Sequence, residues 1–208
     1  MTRPEAVIYD IGNVLIEWNP ERFYDSIMPL SDRKRLFASV DLHAMNDAID
    51  KGALFRETIY DTAAQHPEWA PFIQMWHDRW IDMASPVIEG SLTLLRRLRA
   101  KGVPVFALSN FGIHSFAYAE TQYPFLKEFD RRYISGHMNV IKPDPQIYAM
   151  VEADCAIAPQ KLLFTDDRAD NIAAAAARGW QTHRFTGPQR WANILHALGL
   201  LSEDEAKI

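Results

Sequence analysis

The chain has 208 residues, 48% of them hydrophobic and 24% charged, which is the composition of a folded globular protein with room for one domain or a core with a smaller appendage. Its formal net charge of −5 argues against nucleic acid and anionic membrane surfaces as partners, but not against a small anionic substrate, because charge inside a pocket outweighs the net value. The single cysteine, Cys155, allows no internal disulfide; Met1 to Glu5 lack a signal-peptide core and no apolar run approaches the roughly 18 residues of a membrane span, so a cytoplasmic protein is expected.

The first element is an apolar run, Ala6 to Tyr9, rich in β-branched and aromatic residues. It reads as a buried parallel strand. Asp10 follows at the strand's carboxyl end, where open α/β sheets bind ligands. Gly12 and Asn13 then turn the chain, and Gly12 lets backbone approach a ligand closely. A long helical stretch comes next. Asn19 and Pro20 suit a helix start, and Ser31 is expected to cap a second helix carrying Leu36, Phe37 and Val40. Further helices are expected from Asp41 to Asp50, Leu54 to Ala64, and Trp69 to Met83. In the last, Trp69, Phe72, Trp76 and Trp80 fall on one face, which reads first as core packing and second as a pocket lining.

From about Pro86 the pattern alternates between helix and strand. Leu92, Leu95 and Leu98 line a helix that stops at Gly102, and its Arg96, Arg97, Arg99 and Lys101 read as a solvated face. Val103 to Leu108 is a strand, Ile113 to Gln122 a helix, Arg132 to Ser135 a short strand, and Pro145 to Ala153 a helix. Leu162 to Thr165 is a strong strand, followed by an alanine-rich helix from Asp170 to Arg178, a strand from Thr182 to Phe185 and a closing helix from Trp191 to Leu198. This alternation predicts an α/β fold with a doubly wound parallel sheet. Residues 1–14 and 86–208 form the Rossmann-like core of this reading, and residues 15–85 an α-helical cap inserted after the first strand. The cap is expected to act as a mobile lid, hinged near Leu15 to Asn19 and Met83 to Val87.

Three strands end in polar groups suited to a phosphoryl substrate: Asp10, then Ser109-Asn110, then Asp166-Asp167. Lys142, held between Ile141 and Pro143, lies between the last two in sequence. Each piece also has an ordinary structural explanation. Ser109 and Asn110 could cap a helix, Lys142 could be a loop lysine, and paired acids could answer a helix dipole. Their arrival at one edge of one sheet favours chemistry. Asp10 is a carboxylate nucleophile able to form an aspartyl-phosphate. Asp10, Asp167 and the Gly12 carbonyl offer hard oxygen ligands of the kind Mg²⁺ prefers. Lys142 supplies fixed positive charge beside the transferring group, and Ser109 and Asn110 supply hydrogen bonds to it.

These stretches, VIYDIGNVL, FALSN, IKPDPQIY and LLFTDDRADN, resemble in order the four motifs of the haloacid dehalogenase superfamily of hydrolases, over nearly the whole chain. The resemblance implies a Rossmann-like core with a helical cap. It makes Asp10 the nucleophile, Ser109 and Asn110 phosphate-binding, Lys142 the steadying cation and Asp167 a metal ligand. Asp166 joins the candidate metal set as a neighbour of the site, as does Asn171. The DxGNV form resembles a branch that includes sugar-phosphate phosphatases, among them the bacterial α-D-glucose-1-phosphate phosphatase. It departs from most phosphatases of the superfamily, which carry a second Asp two residues after the nucleophile as general acid; Gly12 stands there in this chain. The leaving oxygen must then take its proton from elsewhere or depart with little help.

The expected function is a Mg²⁺-dependent phosphatase acting on a small phosphorylated metabolite. Two rivals stand beside it. A metal-independent 2-haloacid dehalogenase needs no proton for its leaving halide, but Asp166 and Asp167 would repel its carboxylate substrate. A non-catalytic binding module on the same fold has no need of the intact nucleophile, lysine and acids. Trp18, His43 and His114 are candidates for lining the pocket.

Overall fold

The computed structural model describes residues 2–208. In chain order, β1 (Ala6–Tyr9) and β2 (Ile16–Trp18) lead into six helices: α1 (Pro20–Ile27), α2 (Leu30–Ser39), α3 (Leu42–Asp50), α4 (Phe55–Gln65), α5 (Ala70–Asp78) and α6 (Trp80–Met83). β3 (Ala84–Val87), α7 (Glu89–Ala100), β4 (Val105–Ser109), α8 (Ile113–Gln122), β5 (Arg131–Ile134) and α9 (Ser135–Met138) follow. The chain continues with α10 (Pro145–Cys155), β6 (Leu162–Asp166), α11 (Ala169–Ala177), β7 (Gln181–Arg184) and α12 (Pro188–Ala197). No helix among the described residues is long and apolar enough to cross a membrane.

Five strands form one parallel sheet in the order β5-β4-β1-β6-β7. β1 is central and all four of its side chains are buried, as a two-sided apolar run requires. Its alternating side chains feed two cores. Val7 and Tyr9 join Leu94, Leu95 and Trp191 on one face. Ala6 and Ile8 join Ile147, Tyr148 and Phe164 on the other. The expected α/β fold with a doubly wound parallel sheet is therefore the observed one. Because the strands are parallel, the carboxyl ends of β1, β4 and β6 meet at one edge, and Asp10, Ser109 and Asp166 meet with them.

The six helices lie between β2 and β3, which pair as a two-stranded antiparallel ribbon. Asn19 N–H to the Met83 carbonyl (2.9 Å) and Ile88 N–H to the Leu15 carbonyl (2.8 Å) extend the ribbon at both ends. The sequence reading has only hinge segments there. The strands are three and four residues long, too short for an alternation to stand out. The first helix starts as expected, with the Asn19 side chain accepting from Arg22 N–H and Pro20 at its first position. Ser31 does not cap α2; Pro29 holds the cap position without a side-chain hydrogen bond, and Ser31 lies inside the first turn. The expected helix from Trp69 to Met83 is two, broken at Arg79. The break lets Trp80 pack against Trp18 and Phe111 while Trp76 stays wholly buried in the core.

The end of α3 docks on the turn after β4 so closely that only glycine fits. A Cβ on Gly112 would lie 2.5 Å from Ile49 Cγ2 and 3.1 Å from the Ile49 carbonyl oxygen. The Ser135 hydroxyl donates to the Asp50 carbonyl (2.6 Å) and accepts from Phe111 N–H (2.8 Å), tying α3 to both turns beside it. Gly112→Ala should therefore push α3 off the sheet edge and cost about 1–3 kcal/mol, the range for overpacking a filled interior. A urea midpoint equal to that of the unmodified protein would refute this close approach.

Candidate active site

The sheet edge opens into a cavity of about 380 Å³. Asp10, Gly12, Ser109, Asn110, Lys142 and Asp167 all line it. Asp166, wholly buried, lies behind it. Carboxylate oxygens of Asp10, Asp166 and Asp167 gather within 4.8 Å of one another.

Lys142 organises the site. Its side chain is 1% exposed; the ammonium donates to Asp166 Oδ2 (2.7 Å) and to the Leu108 carbonyl (2.9 Å), and it pairs with Asp10 Oδ1 (3.0 Å). Burial alone would push the lysine pKa down; the two carboxylates outweigh it and hold it above the ordinary value. Asp10 Oδ1 also accepts from the Ser109 hydroxyl and from Ile11 N–H, both at 2.7 Å. Three donors thus converge on Oδ1, and Oδ2 has none among the described residues. Burial pushes the Asp10 carboxyl up to about 7, against the pull of Lys142 and with the help of Asp166 and Asp167.

The two adjacent acids differ. Asp166 Oδ1 accepts from Arg168 N–H (2.8 Å), and the Asn171 amide reaches both of its oxygens (3.1 and 3.0 Å). Together with Lys142 these donors occupy the carboxylate. Asp167 takes one side-chain hydrogen bond, from Asn13 Nδ2 to Oδ2 at 3.1 Å, and burial followed by the neighbouring Asp166 raises its pKa. Asn13 is itself set by Trp18 N–H, which donates to its Oδ1 at 2.9 Å. The polar side chains of Ser109 and Asn110 are engaged inside the protein. Asn110 accepts from Lys142 N–H (2.8 Å) and donates to the Lys142 carbonyl (3.0 Å), a two-point clamp on that residue's backbone.

The residues present fit a hard divalent cation. The atoms facing it are oxygens: the Asp10 carboxylate, one oxygen of Asp167, and the Gly12 carbonyl, which takes no hydrogen bond among the described residues. Asn171 Oδ1 adds a buried acceptor with no partner, the kind of group that water held on a cation satisfies.

Of the other expected pocket residues, Trp18 and His43 line the cavity, while His114 is exposed on α8 and does not. Asn13, Asn46, Asp50 and Arg168 line it without having been singled out for the site. The spacing of Asn46 and Asp50 places them on one face of α3, but nothing local marks that face as the one turned to the sheet edge. Trp80 belongs to the expected aromatic stripe and serves both core and cavity.

Lys142→Met would leave Asp10 and Asp166 buried without a counter-charge. Such a deletion typically costs about 3–5 kcal/mol. The cost should be larger at pH 7 than at pH 5, because the orphaned carboxyls relieve it by taking up protons as pH falls. Urea unfolding at the two pH values measures it; equal losses would mean that Lys142 does not balance those charges.

The chain resembles known proteins in sequence and in fold. Over 177 residues, 84% of this chain and 86% of the relative, the sequence is 25% identical to a sesquiterpene phosphatase, astK, of Aspergillus oryzae. Over 113 residues, 54% of this chain and 46% of the relative, it is 30% identical to an (S)-2-haloacid dehalogenase of Pseudomonas fluorescens. The fold superposes on haloacid dehalogenase family enzyme BT-2542 of Bacteroides thetaiotaomicron, solved in complex with magnesium and inorganic phosphate, with a TM-score of 0.72 at 21% identity, covering 92% of this chain and 98% of that one. The family model for haloacid dehalogenase-like hydrolases matches residues 4–179, and with the parallel sheet and the acid–lysine cluster at its edge this makes the chain a member of that hydrolase family.

Proposed function

We propose that this protein is a Mg²⁺-dependent phosphatase that hydrolyses a small phosphate monoester through an aspartyl-phosphate on Asp10. The observation that carries the proposal is the asymmetry of the Asp10 carboxylate. Oδ1 is fixed by Ser109, Ile11 N–H and Lys142, and Oδ2 is left free to attack. Asp10, Asp167 and the Gly12 carbonyl would hold the ion. When bound, Mg²⁺ supplies the positive charge that lets a carboxylate and a phosphoryl dianion meet. Lys142 stays charged at the nucleophile and offsets negative charge as the phosphoryl group arrives. Asp166 holds Lys142 in place, and Asn110 holds its backbone. Ser109 orients the nucleophile.

The helices between β2 and β3 act as a cap in this reading. They bring Trp80, His43, Asn46 and Asp50 to the cavity, where the leaving group would sit beside Trp18. The A. oryzae and B. thetaiotaomicron relatives support phosphoryl chemistry by their descriptions. The dehalogenase relative matches barely half the chain, and a haloacid carboxylate would meet Asp167 in this cavity. A sugar phosphate fits a cavity that combines indole faces with carboxyl and amide groups.

Chelation should abolish phosphatase activity and added Mg²⁺ restore it, and Asp10→Asn should stay folded but lose turnover, because an amide is a poor nucleophile. Turnover that survives chelator, or halide release from a 2-haloacid, would overturn the reading. Cation binding should also follow the Asp10 proton. The carboxyl takes up a proton as pH falls through about 7, so apparent Mg²⁺ affinity should drop roughly tenfold per pH unit below that point. Calorimetric titration at pH 5.5, 6.5 and 7.5 reads this directly, and a flat affinity would remove Asp10 from the ligand set.

A further inference from the structure

A phosphate ester of an ordinary alcohol leaves poorly unless its oxygen is protonated as the P–O bond breaks. Position 12 offers no acid, because it is glycine. The cavity lining contains four further carboxyl groups besides Asp10 and Asp167: Glu17, Glu21, Asp47 and Asp50. Glu17 is ion-paired with Arg22, Glu21 lies 3.6 Å from His43, and Asp47 is exposed. Asp50 alone among the four is buried.

We propose that Asp50 is the general acid of this site, taking the place that Gly12 leaves empty; the proposal rests on the phosphatase reading above. Its position is built from three sides. It is the last residue of α3, where the helix dipole disfavours an anion. Its backbone carbonyl is tied to the core through the Ser135 hydroxyl, so the side chain is carried by a fixed point rather than a loose loop. Its Oδ2 accepts from the Asn46 amide at 2.9 Å. The Asn46 amide cannot flip, because its oxygen accepts from Trp76 Nε1 at 3.1 Å. The hydrogen bond from Asn46 thus holds a carboxyl group that lines the cavity.

The surroundings favour the protonated form. Burial pushes the Asp50 carboxyl up to about 7; Asp47 on its own helix and Asp10 across the cavity add to this, while the Gly112 N–H and Lys142 oppose it. The carboxyl thus titrates where a general acid works best. In the first step Asp10 Oδ2 forms a bond to phosphorus, the ester P–O bond breaks, and the proton on Asp50 passes to the departing oxygen. In the second step Asp50, now a carboxylate, takes a proton from water as its oxygen attacks phosphorus and the Asp10–phosphorus bond breaks. Alcohol and inorganic phosphate are released, and both carboxyl groups return to their starting states.

The test is a series of phosphate monoesters running from aryl to alkyl, assayed by kcat/KM at saturating Mg²⁺ so that hydrolysis of the acyl-phosphate does not enter. The unmodified protein should show a shallow dependence on leaving-group pKa. Asp50→Asn should lose about 10²–10⁴-fold on alkyl esters and little on 4-nitrophenyl phosphate, and the alkaline limb of its pH profile should disappear. Gly12→Asp in the Asp50→Asn background should recover alkyl esters, since a Cβ at Gly12 meets only Trp18 Cβ, at 3.9 Å. A steep dependence in the unmodified protein overturns the proposal without any variant. So does an Asp50→Asn loss that is equal on all esters or confined to KM. An unmodified protein inactive on every ester overturns the phosphatase reading along with it.

Discussion

A lysine ammonium closed off from water between two carboxylates is the constraint on which this structure depends. Burying Lys142 is tolerable only because Asp10 and Asp166 both reach it and the Leu108 carbonyl accepts a further hydrogen bond from it. Those partners come from the ends of β1, β4 and β6. Ion-pair geometry therefore fixes the relative height of three strand ends, and parallel pairing with β1 at the centre makes that height attainable. The Asn110 clamp on the Lys142 backbone serves the same end from outside the sheet. The charge balance remains incomplete. Three carboxylates gather at one lysine, and burial first, with the neighbouring carboxylates after it, pushes Asp10 and Asp167 upward in pKa. An edge so constructed is prepared for a cation, and relief of that repulsion is part of what cation binding would gain.

Much of this was legible in the sequence because it is carried by local pattern. Buried parallel strands read as short apolar runs, and Asp10, Ser109 and Asp166 stand where such runs end. Topology then brings them together without any long-range information. The residues that were not legible depend on distant contacts. Asp50 looks like any polar residue on an amphipathic helix; it is buried because Gly112 lets Ile49 approach the turn after β4. The β2–β3 ribbon escaped because seven residues in two short strands carry no periodicity. The break at Arg79 escaped because the aromatic spacing runs through it undisturbed.

Asp166 and Asp167 show how far adjacency in sequence can mislead. Successive residues at a strand's end point in different directions. Asp166 turns inward to Lys142, Asn171 and Arg168 N–H, and its carboxylate is occupied by protein donors. Asp167 turns toward the cavity and keeps an oxygen open. One acid positions the lysine and the other faces the cavity, although composition and spacing present them as a matched pair.

The helical block is less separate from the sheet than its place in the chain suggests. A single apolar cluster runs from Trp76 and Ile59 in the block through Ile11 and Leu15 to Val7 and Leu95 beneath the sheet. The block shares its core with the sheet edge, and the Ser135 bond to the Asp50 carbonyl pins α3 to the turn beside Phe111. A swing of the whole block would break that cluster and expose apolar surface. Opening by local movement costs less. The groups least tied to the core are those at the cavity mouth: His43 and Asp47 are exposed on α3, and Glu17 pairs only with the partly exposed Arg22. Substrate entry through this rim would leave Asp10, Lys142 and Asp50 in register throughout. A site entered in this way would be pre-organised, with the side chains at its floor held by buried contacts and those at its rim solvated.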